Sequence, residues 1–222
     1  MSTFNISGDK DLRKISADAY ERYSLRYLTH GYSPLSLGWG ALHHQETRFT
    51  KIIHSVELSR KSILDIGCGF GDFCHFLSTY KIDYLSYTGW DIVDSFIEEA
   101  KQRYSDHRNT FEICDLNEVS PSETLADICL MIGLLNWNLG SKEKNMQYTK
   151  QMLYKAFTLC RELLVADFLS ANLAPNYPPE STVFYHKPAE VIELVSLLSS
   201  NFSLFHDYPA IPQKEFMIVI YK

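Results

Sequence analysis

The feature that most constrains the fold is a short apolar segment, Ser62–Ile66, that runs directly into Gly67, Gly69 and Gly71. A short apolar run ended by glycines is typical of a parallel strand that is buried on both faces. The glycines allow the backbone to turn tightly and to approach a ligand closely. The segment therefore predicts a strand, a glycine turn and a helix whose N-terminal N–H groups face a ligand.

Strand and helix patterns continue to alternate after this turn. Further strands are predicted over 84–91, 110–114, 126–132 and 162–168, with helices through 73–77, 95–104 and 148–159. Repeated units of this length require right-handed crossovers and a parallel sheet with helices on both faces. The last two predicted strands, 202–208 and 215–221, are joined so closely that they can only pair antiparallel. The chain is therefore predicted to have an α/β fold.

Residues 1–60 form a separate zone, predicted to be a helical cap on the domain made by residues 61–222, with one structural domain overall. Tyr23 and Tyr27 lie one helical turn apart and share a helix face. That face either covers a substrate or simply packs against the domain. A second helix is predicted over 43–56, where apolar residues follow a period of 3.6.

The composition argues against several classes of partner. The net charge is −6 and no run of basic residues occurs, so neither nucleic acid nor an anionic membrane is expected to bind. The five cysteines lie in apolar segments without a C-x-x-C pair, which indicates reduced thiols and a cytoplasmic location. The sequence shows no secretory signal, no membrane span and no acid cluster for a metal. We expect no metal, and a monomer or a homodimer.

Acidic residues accompany the glycine turn. Asp65 precedes the turn, Asp72 follows it, and Asp91 and Asp115 stand at the ends of the next two predicted strands. NAD prefers the spacing G-x-G-x-x-G, in which a helix N-terminus receives the pyrophosphate. Carboxylates repel a pyrophosphate but favour a cationic sulfonium and its amino group. The pattern favours S-adenosylmethionine over NAD, although the glycines alone would also suit a simple strand-to-helix turn.

Four segments resemble the class I S-adenosylmethionine-dependent methyltransferase superfamily. Residues 63–71 resemble its motif I, residues 87–92 the ribose motif, and residues 111–116 the adenine motif, while residues 215–221 resemble its reversed last strand. The resemblance covers about residues 60–222. It implies a Rossmann-like sheet of seven strands, mostly parallel with an antiparallel last strand, and S-adenosylmethionine as cofactor, with S-adenosylhomocysteine as product.

A narrower resemblance concerns residues 37–39, 45–49 and 206–208. These segments are similar to small bacterial methyltransferases, some of which modify capsule or other small polar metabolites. The likeness implies a cofactor contact in the N-terminal zone, because Arg48 lies on a helix that precedes the first strand. Arg48 is therefore expected to pair with the methionine carboxylate.

The superfamily motifs imply a role for the residues at the first turn. Gly67 and Gly69 are expected to lie along the methionine part of the cofactor. Asp65 is expected to order the turn and to face the cofactor amino group.

The later motifs imply contacts with the nucleoside. Asp91, followed by Ile92, is expected at the ribose, and Asp115 with Leu116 at the adenine. Gly133 stands after the fourth strand, where the superfamily commonly lines its active site.

Candidates for catalysis and substrate binding lie outside these motifs. His186 is the first candidate for a general base, because it follows a proline-containing loop, 171–181, that is long enough to cover a substrate. His43 is the second candidate, and either histidine is equally open to a structural role. Tyr185 lies beside His186 in the same covering segment. Asn136, just after the fourth strand, either binds substrate or caps a turn.

The leading hypothesis is an enzyme that transfers a methyl group from S-adenosylmethionine to oxygen or nitrogen of a small polar metabolite, possibly a capsule or polysaccharide precursor. Methylation of RNA or protein is an alternative, and the acidic charge argues against RNA. A non-catalytic nucleotide-binding scaffold and a dehydrogenase are the remaining alternatives.

Overall fold

The computed structural model describes residues 9–120 and 123–222. Seven strands form one sheet: β1 Ser62–Ile66, β2 Ser86–Asp91, β3 Asn109–Ile113, β4 Ala126–Met131, β5 Cys160–Leu169, β6 Phe202–Phe205 and β7 Glu215–Tyr221. Their order across the sheet is β3-β2-β1-β4-β5-β7-β6. Strands β1 to β5 pair in parallel, and β7 lies antiparallel between β5 and β6. The predicted mostly parallel α/β sheet with an antiparallel last strand is confirmed.

Six helices accompany the sheet: α1 Asp9–His30, α2 Leu42–Ser55, α3 Asp72–Thr79, α4 Asp94–Tyr104, α5 Lys142–Leu159 and α6 Pro188–Ser196. Apolar side chains of α2, α3 and α4 pack with one face of the sheet. Those of α5 and α6 pack with the other face. The strand order reverses at β1, which lies between β2 and β4, and ligands of such sheets bind at the carboxyl ends of the strands beside that reversal.

The two N-terminal helices are held differently. Phe49, Ile52 and Val56, on and just after α2, are buried in the main core, so α2 is packed as an integral part of the domain. Helix α1 lies farther out. Its Tyr23 and Tyr27 rings contact Phe96 of α4, with centroids 6.4 and 5.9 Å apart.

Some element ends differ from the sequence prediction. Helix α5 begins at Lys142 rather than near residue 148, because Ser141 caps it: the Ser141 hydroxyl accepts a hydrogen bond from the Lys144 N–H at 3.2 Å. Strand β6 ends at Phe205 rather than at residue 208, because its pairing with β7 stops at Phe205. No helix in the described part of the chain is both long and apolar enough to cross a bilayer.

Candidate active site

The glycine turn after β1 has a backbone that only glycine adopts readily. Gly69 has a φ of 56°, and a Cβ atom there would come within 2.7 Å of Leu37. The N–H groups of Gly67 and Cys68 both donate to the carbonyl oxygen of Trp90, at 2.7 and 2.9 Å. The turn is therefore fixed against the end of β2 and leaves room for close approach of a ligand.

A cleft opens to solvent at the carboxyl ends of the strands. The glycine turn and the ends of β2, β3 and β4 line its inner side. Residues from the N-terminal zone also line the cleft, among them Ile15 and Tyr23 of α1 and Trp39. The structure thus brings together the predicted glycine, ribose and adenine motifs, including Ile92 and Leu116.

Asp91 stands at the end of β2 and lines the cleft. Its Oδ2 accepts a hydrogen bond from the Gly69 N–H at 3.0 Å, and its Oδ1 accepts one from the Val93 N–H at 2.9 Å. Each carboxylate oxygen has a further lone pair, so Asp91 can still accept hydrogen bonds from both hydroxyls of a ribose. Burial raises the pKa of Asp91 to about 6.

Asp65, in β1, lies deeper. It is buried, and its Oδ2 accepts a hydrogen bond from the Tyr87 hydroxyl at 2.5 Å. Burial, assisted by the nearby charges of Asp91 and Asp72, raises its pKa to about 7, against the opposing effect of the Tyr87 hydrogen bond. The carboxylate is therefore partly protonated near neutral pH unless a cation lies beside it.

The adenine end of the cleft is tied to α1. The Asp115 Oδ1 accepts a hydrogen bond from the Asn117 N–H at 2.8 Å, which fixes the turn after β3. The Asn117 side-chain amide donates to the Ser16 hydroxyl of α1 at 2.9 Å. Asp115, Leu116 and Asn117 all line the cleft, so α1 borders this end directly.

Gly133 closes the opposite end of the cleft. It has a φ of 76°, and a Cβ atom would come within 2.6 Å of the Trp39 ring. Its N–H donates to the Asp167 Oδ1 at 2.6 Å. Gly133 therefore allows Trp39 to pack directly on the backbone that follows β4.

The structure places Arg48 away from the cofactor position that the sequence predicted for it. The guanidinium is buried and pairs with Asp167 at 3.1 Å and with Glu215, and it stacks on Trp39 at 4.2 Å from the ring centroid. It does not line the cleft. The two carboxylates that pair with the guanidinium belong to β5 and β7. Arg48 therefore joins α2 to the sheet instead of facing a carboxylate ligand.

His186 is a core residue rather than a base in the cleft. Its side chain is 0% exposed, its Nε2 lies 3.2 Å from the Thr149 hydroxyl, and its ring packs between Phe168 and Phe184. Burial lowers its pKa to about 3, which keeps the imidazole neutral. The loop before it is docked on the sheet, since the His186 N–H donates to the Leu169 carbonyl at 2.7 Å.

His43 also lies outside the cleft. It is exposed at the start of α2, and its ring contacts only that of His44 among the ring contacts of the described residues, at 4.4 Å. The predictions that His186 or His43 acts as the base are not supported by this geometry.

The predicted substrate-binding residues divide in the same way. Tyr23 lines the cleft. Tyr27 does not, because its hydroxyl donates to Glu99 at 2.8 Å. The Asn136 side chain accepts from the Leu169 N–H at 2.8 Å, and the Tyr185 hydroxyl accepts from the Glu180 N–H at 2.9 Å. These last three side chains hold the fold together outside the cleft.

Sequence reasoning missed several residues that line the cleft, namely Ser16, Trp39, Gln45, Asn117, Trp137 and Tyr148. They come from α1, α2, α5 and three loops. Only Gln45 and Trp39 lay in a segment that the narrower resemblance had singled out. The others reach the cleft through tertiary packing, which leaves no local pattern in the sequence.

The residues present fit S-adenosylmethionine. The glycine turn gives space for an aminoacyl chain, Asp91 retains acceptors for a diol, and the carboxylates that line the cleft suit a cationic ligand. A dinucleotide pyrophosphate would meet three of these carboxylates and no Lys or Arg among the described lining residues. Fold and cleft together define a nucleoside-binding α/β domain of the methyltransferase class.

Comparison with known proteins agrees with this class. Residues 63–155 match the family model described as a methyltransferase domain. No curated protein matches the chain significantly. Residues 63–155 thus form a methyltransferase domain, and the enzyme is an S-adenosylmethionine-dependent methyltransferase.

Several solved structures share the fold at low sequence identity. Magnesium protoporphyrin IX methyltransferase from Synechocystis PCC 6803, with bound S-adenosylhomocysteine, has a TM-score of 0.58 at 15% identity and covers 96% of this chain and 99% of its own. An S-adenosylmethionine-dependent methyltransferase from Mesorhizobium loti has a TM-score of 0.57 at 14% identity, covering 82% and 99%. Phosphoethanolamine N-methyltransferase 1 from Haemonchus contortus has a TM-score of 0.67 at 14% identity, covering 94% and 49%.

Proposed function

We propose that the enzyme transfers a methyl group from S-adenosylmethionine to a nitrogen or oxygen of a small polar metabolite. The observation that carries this proposal is the cleft in which the glycine turn, Asp91 and Gly133 meet Tyr23 and Trp39. Cofactor motifs and aromatic side chains from the N-terminal residues line the same space. That arrangement supports a small-ligand site bordered by α1, in which apolar and aromatic side chains surround a few polar groups.

The chain's own part in the reaction is to align the acceptor. When bound, S-adenosylmethionine supplies a methyl group on a sulfonium that is already activated for in-line displacement. Burial raises the pKa of the Tyr23 hydroxyl, so this group donates a hydrogen bond rather than removing a proton. The described lining residues include no histidine. Alignment of the acceptor is therefore the main contribution, and an amine, whose neutral form needs no base, is favoured over a hydroxyl.

The charge of the cleft favours an acceptor that is neutral at the reacting atom and carries no negative charge elsewhere. Asp65, Asp91 and Asp115 line it, and none of the described lining residues is a Lys or an Arg. An anionic metabolite or an RNA backbone would lack a cation to pair with there. The net charge of −6 acts in the same direction at long range. Neutral sugars and amino sugars, including capsule or polysaccharide precursors, belong in the same substrate class.

Calorimetric titration tests the cofactor part of the proposal. We expect S-adenosylhomocysteine to bind and NAD not to bind. Asp91→Ala should weaken S-adenosylhomocysteine by about tenfold or more, because two charge-assisted hydrogen bonds to the ribose are lost. Asp83→Ala is the matched control, since Asp83 is exposed and lies outside the cleft. Equal affinity of the Asp91→Ala variant, or preferential binding of NAD, would contradict the proposal.

Methyl transfer itself is tested with S-adenosylmethionine labelled on its methyl group. Mixtures of small amines, neutral sugars, phosphorylated metabolites, RNA and protein are incubated with the enzyme. We expect label in a neutral or amine-bearing small molecule. Label in RNA or in protein alone would replace the proposed acceptor class with the alternative one.

A further inference from the structure

Gln45 of α2 has one end of its amide paired and the other end unpaired. The Nε2 donates to the Asp72 Oδ2 at 3.0 Å. The Oε1 is buried and has no hydrogen-bond partner among the described residues, and the whole residue is only 4% exposed. A buried acceptor of this kind normally has a donor, so its partner is missing from the protein itself.

The orientation of this amide is fixed by its neighbours. Asp72 can only accept hydrogen bonds in its ionised form, so the amide nitrogen must face it. The other oxygen of Asp72 accepts from the Tyr32 hydroxyl at 3.2 Å, which holds the carboxylate in place. The Gln45 oxygen is therefore directed away from Asp72, with its position set before any ligand arrives.

Gln45 lines the cleft together with Asp65, Gly67 and Gly69. Its partner Asp72 is the first residue of α3, directly after the glycine turn. Gln45 thus stands at the glycine-turn end of the cleft, where the sequence predicts the aminoacyl part of the cofactor. Asp115 and the adenine end come from the turn after β3.

The missing partner must carry N–H or O–H groups, and the surroundings favour a cation. The hydrogen bond from the Gln45 Nε2 to the Asp72 carboxylate polarises the amide and makes the Oε1 a stronger acceptor. The Asp65 carboxylate lines the same cleft. We propose, on the basis of the proposed function, that the Gln45 Oε1 accepts a hydrogen bond from the α-ammonium of the methyl donor. Gln45 is then a cofactor-binding residue that contacts the aminoacyl end of the methyl donor.

Three nucleosides separate this contact from the rest of the site. S-Adenosylhomocysteine has both the ammonium and the carboxylate, its decarboxylated analogue keeps only the ammonium, and 5′-methylthioadenosine has neither. We expect Gln45→Met to weaken S-adenosylhomocysteine and the decarboxylated analogue each by about 10- to 100-fold, the range of one hydrogen bond to a charged group. The affinity for 5′-methylthioadenosine should not change, since it makes no contact with Gln45.

Gln102→Met is the matched control, because Gln102 is exposed on α4 and lies outside the cleft. It should bind all three nucleosides like the wild type. The inference is overturned if Gln45→Met weakens all three nucleosides equally, if it weakens none, or if its effect disappears for the decarboxylated analogue. Should the wild type bind none of the nucleosides, the proposed function fails, which is a different result from any of these.

A second measurement needs no folded variant. The side-chain amide resonance of Gln45 in ¹⁵N-labelled wild-type protein should shift on addition of S-adenosylhomocysteine or its decarboxylated analogue. It should stay in place with 5′-methylthioadenosine. A shift of the same size with all three nucleosides would contradict a contact with the ammonium.

Discussion

The carboxylates of the cleft differ in the hydrogen bonds that they already accept. Asp91 accepts two backbone N–H groups, Asp65 accepts the Tyr87 hydroxyl, and Asp115 accepts the Asn117 N–H. Backbone donors hold Asp91 in place and lower its pKa, against the larger effect of burial. Asp91 is therefore both fixed and still able to accept from a ligand, as a ribose contact requires.

The affinity for S-adenosylhomocysteine should depend on pH through Asp91. Only the ionised carboxylate accepts hydrogen bonds from both ribose hydroxyls, and burial raises the pKa of this group to about 6. The contribution of Asp91 to the affinity should be full above about pH 7 and should fall as the pH drops through about 6. Calorimetric titrations between pH 5 and pH 8 measure this. The Asp91→Asn variant, which does not titrate, should lose most of that pH dependence, and a wild type whose affinity is flat with pH would contradict the assignment.

Asp65 should lower the stability of the ligand-free protein at high pH. Its pKa is raised by burial to about 7, so the folded state favours the protonated form. The proton on Asp65 stabilises the folded state. This contribution is fully present below the unfolded-state pKa and is lost as the pH rises through the folded-state pKa. Asp65→Asn should therefore raise the free energy of unfolding at pH 8, by on the order of 1 to 4 kcal/mol, and by less at pH 5.

Urea denaturation at the two pH values measures this difference. The Asn side chain can still accept from the Tyr87 hydroxyl, so packing changes little. A variant that is less stable than the wild type at pH 8 would show that Asp65 is held ionised in the free protein.

Among the elements, α2 is joined to the sheet by a buried ion cluster. Arg48 reaches Asp167 of β5 and Glu215 of β7, which lie 119 and 167 residues further along the chain. Arg48→Met should leave two buried carboxylates without a cation and should lower the free energy of unfolding by roughly 3 to 5 kcal/mol. Adding Glu215→Gln to that variant should recover part of the loss, because one uncompensated charge is removed.

Denaturant titration of the two variants beside the wild type decides the point. Arg13→Met is a suitable control, since Arg13 is exposed on α1. A loss as small for Arg48→Met as for Arg13→Met would mean that the cluster contributes little.

Helix α1 should respond to the cofactor more than helix α6. Ile15, Ser16 and Tyr23 of α1 line the cleft, whereas no residue of α6 does so in the described structure. Filling the cleft should slow amide hydrogen exchange in α1 and leave exchange in α6 unchanged. Exchange measured with and without S-adenosylhomocysteine tests this, and equal protection of both helices would indicate a global effect instead of a local one.

At the scale of the whole molecule, the parts of the site that local sequence encodes were predictable. The glycine turn, Asp91 and Asp115 each follow a strand, and parallel strands bring their carboxyl ends to one edge of the sheet. The antiparallel last strand followed from a connection too short for a crossover. In each case the sequence neighbours of a residue determine where it lies.

The roles that depend on distant segments were not predictable. His186 follows a loop that resembles a flexible cover, yet the loop docks on Leu169 and Asn136 and places the imidazole in the core. Arg48 looked available for a ligand because its partners lie far along the chain. Helical and strand periodicity report which face of an element is buried, but not which charge or ring it meets there.

The most direct test of the account is a crystal structure of the protein with S-adenosylhomocysteine. We predict that the ribose hydroxyls contact Asp91 and that the aminoacyl chain lies along Gly67 and Gly69. A cleft that stays empty at saturating ligand, or a nucleoside bound elsewhere with Asp91 turned away from it, would contradict the central claim.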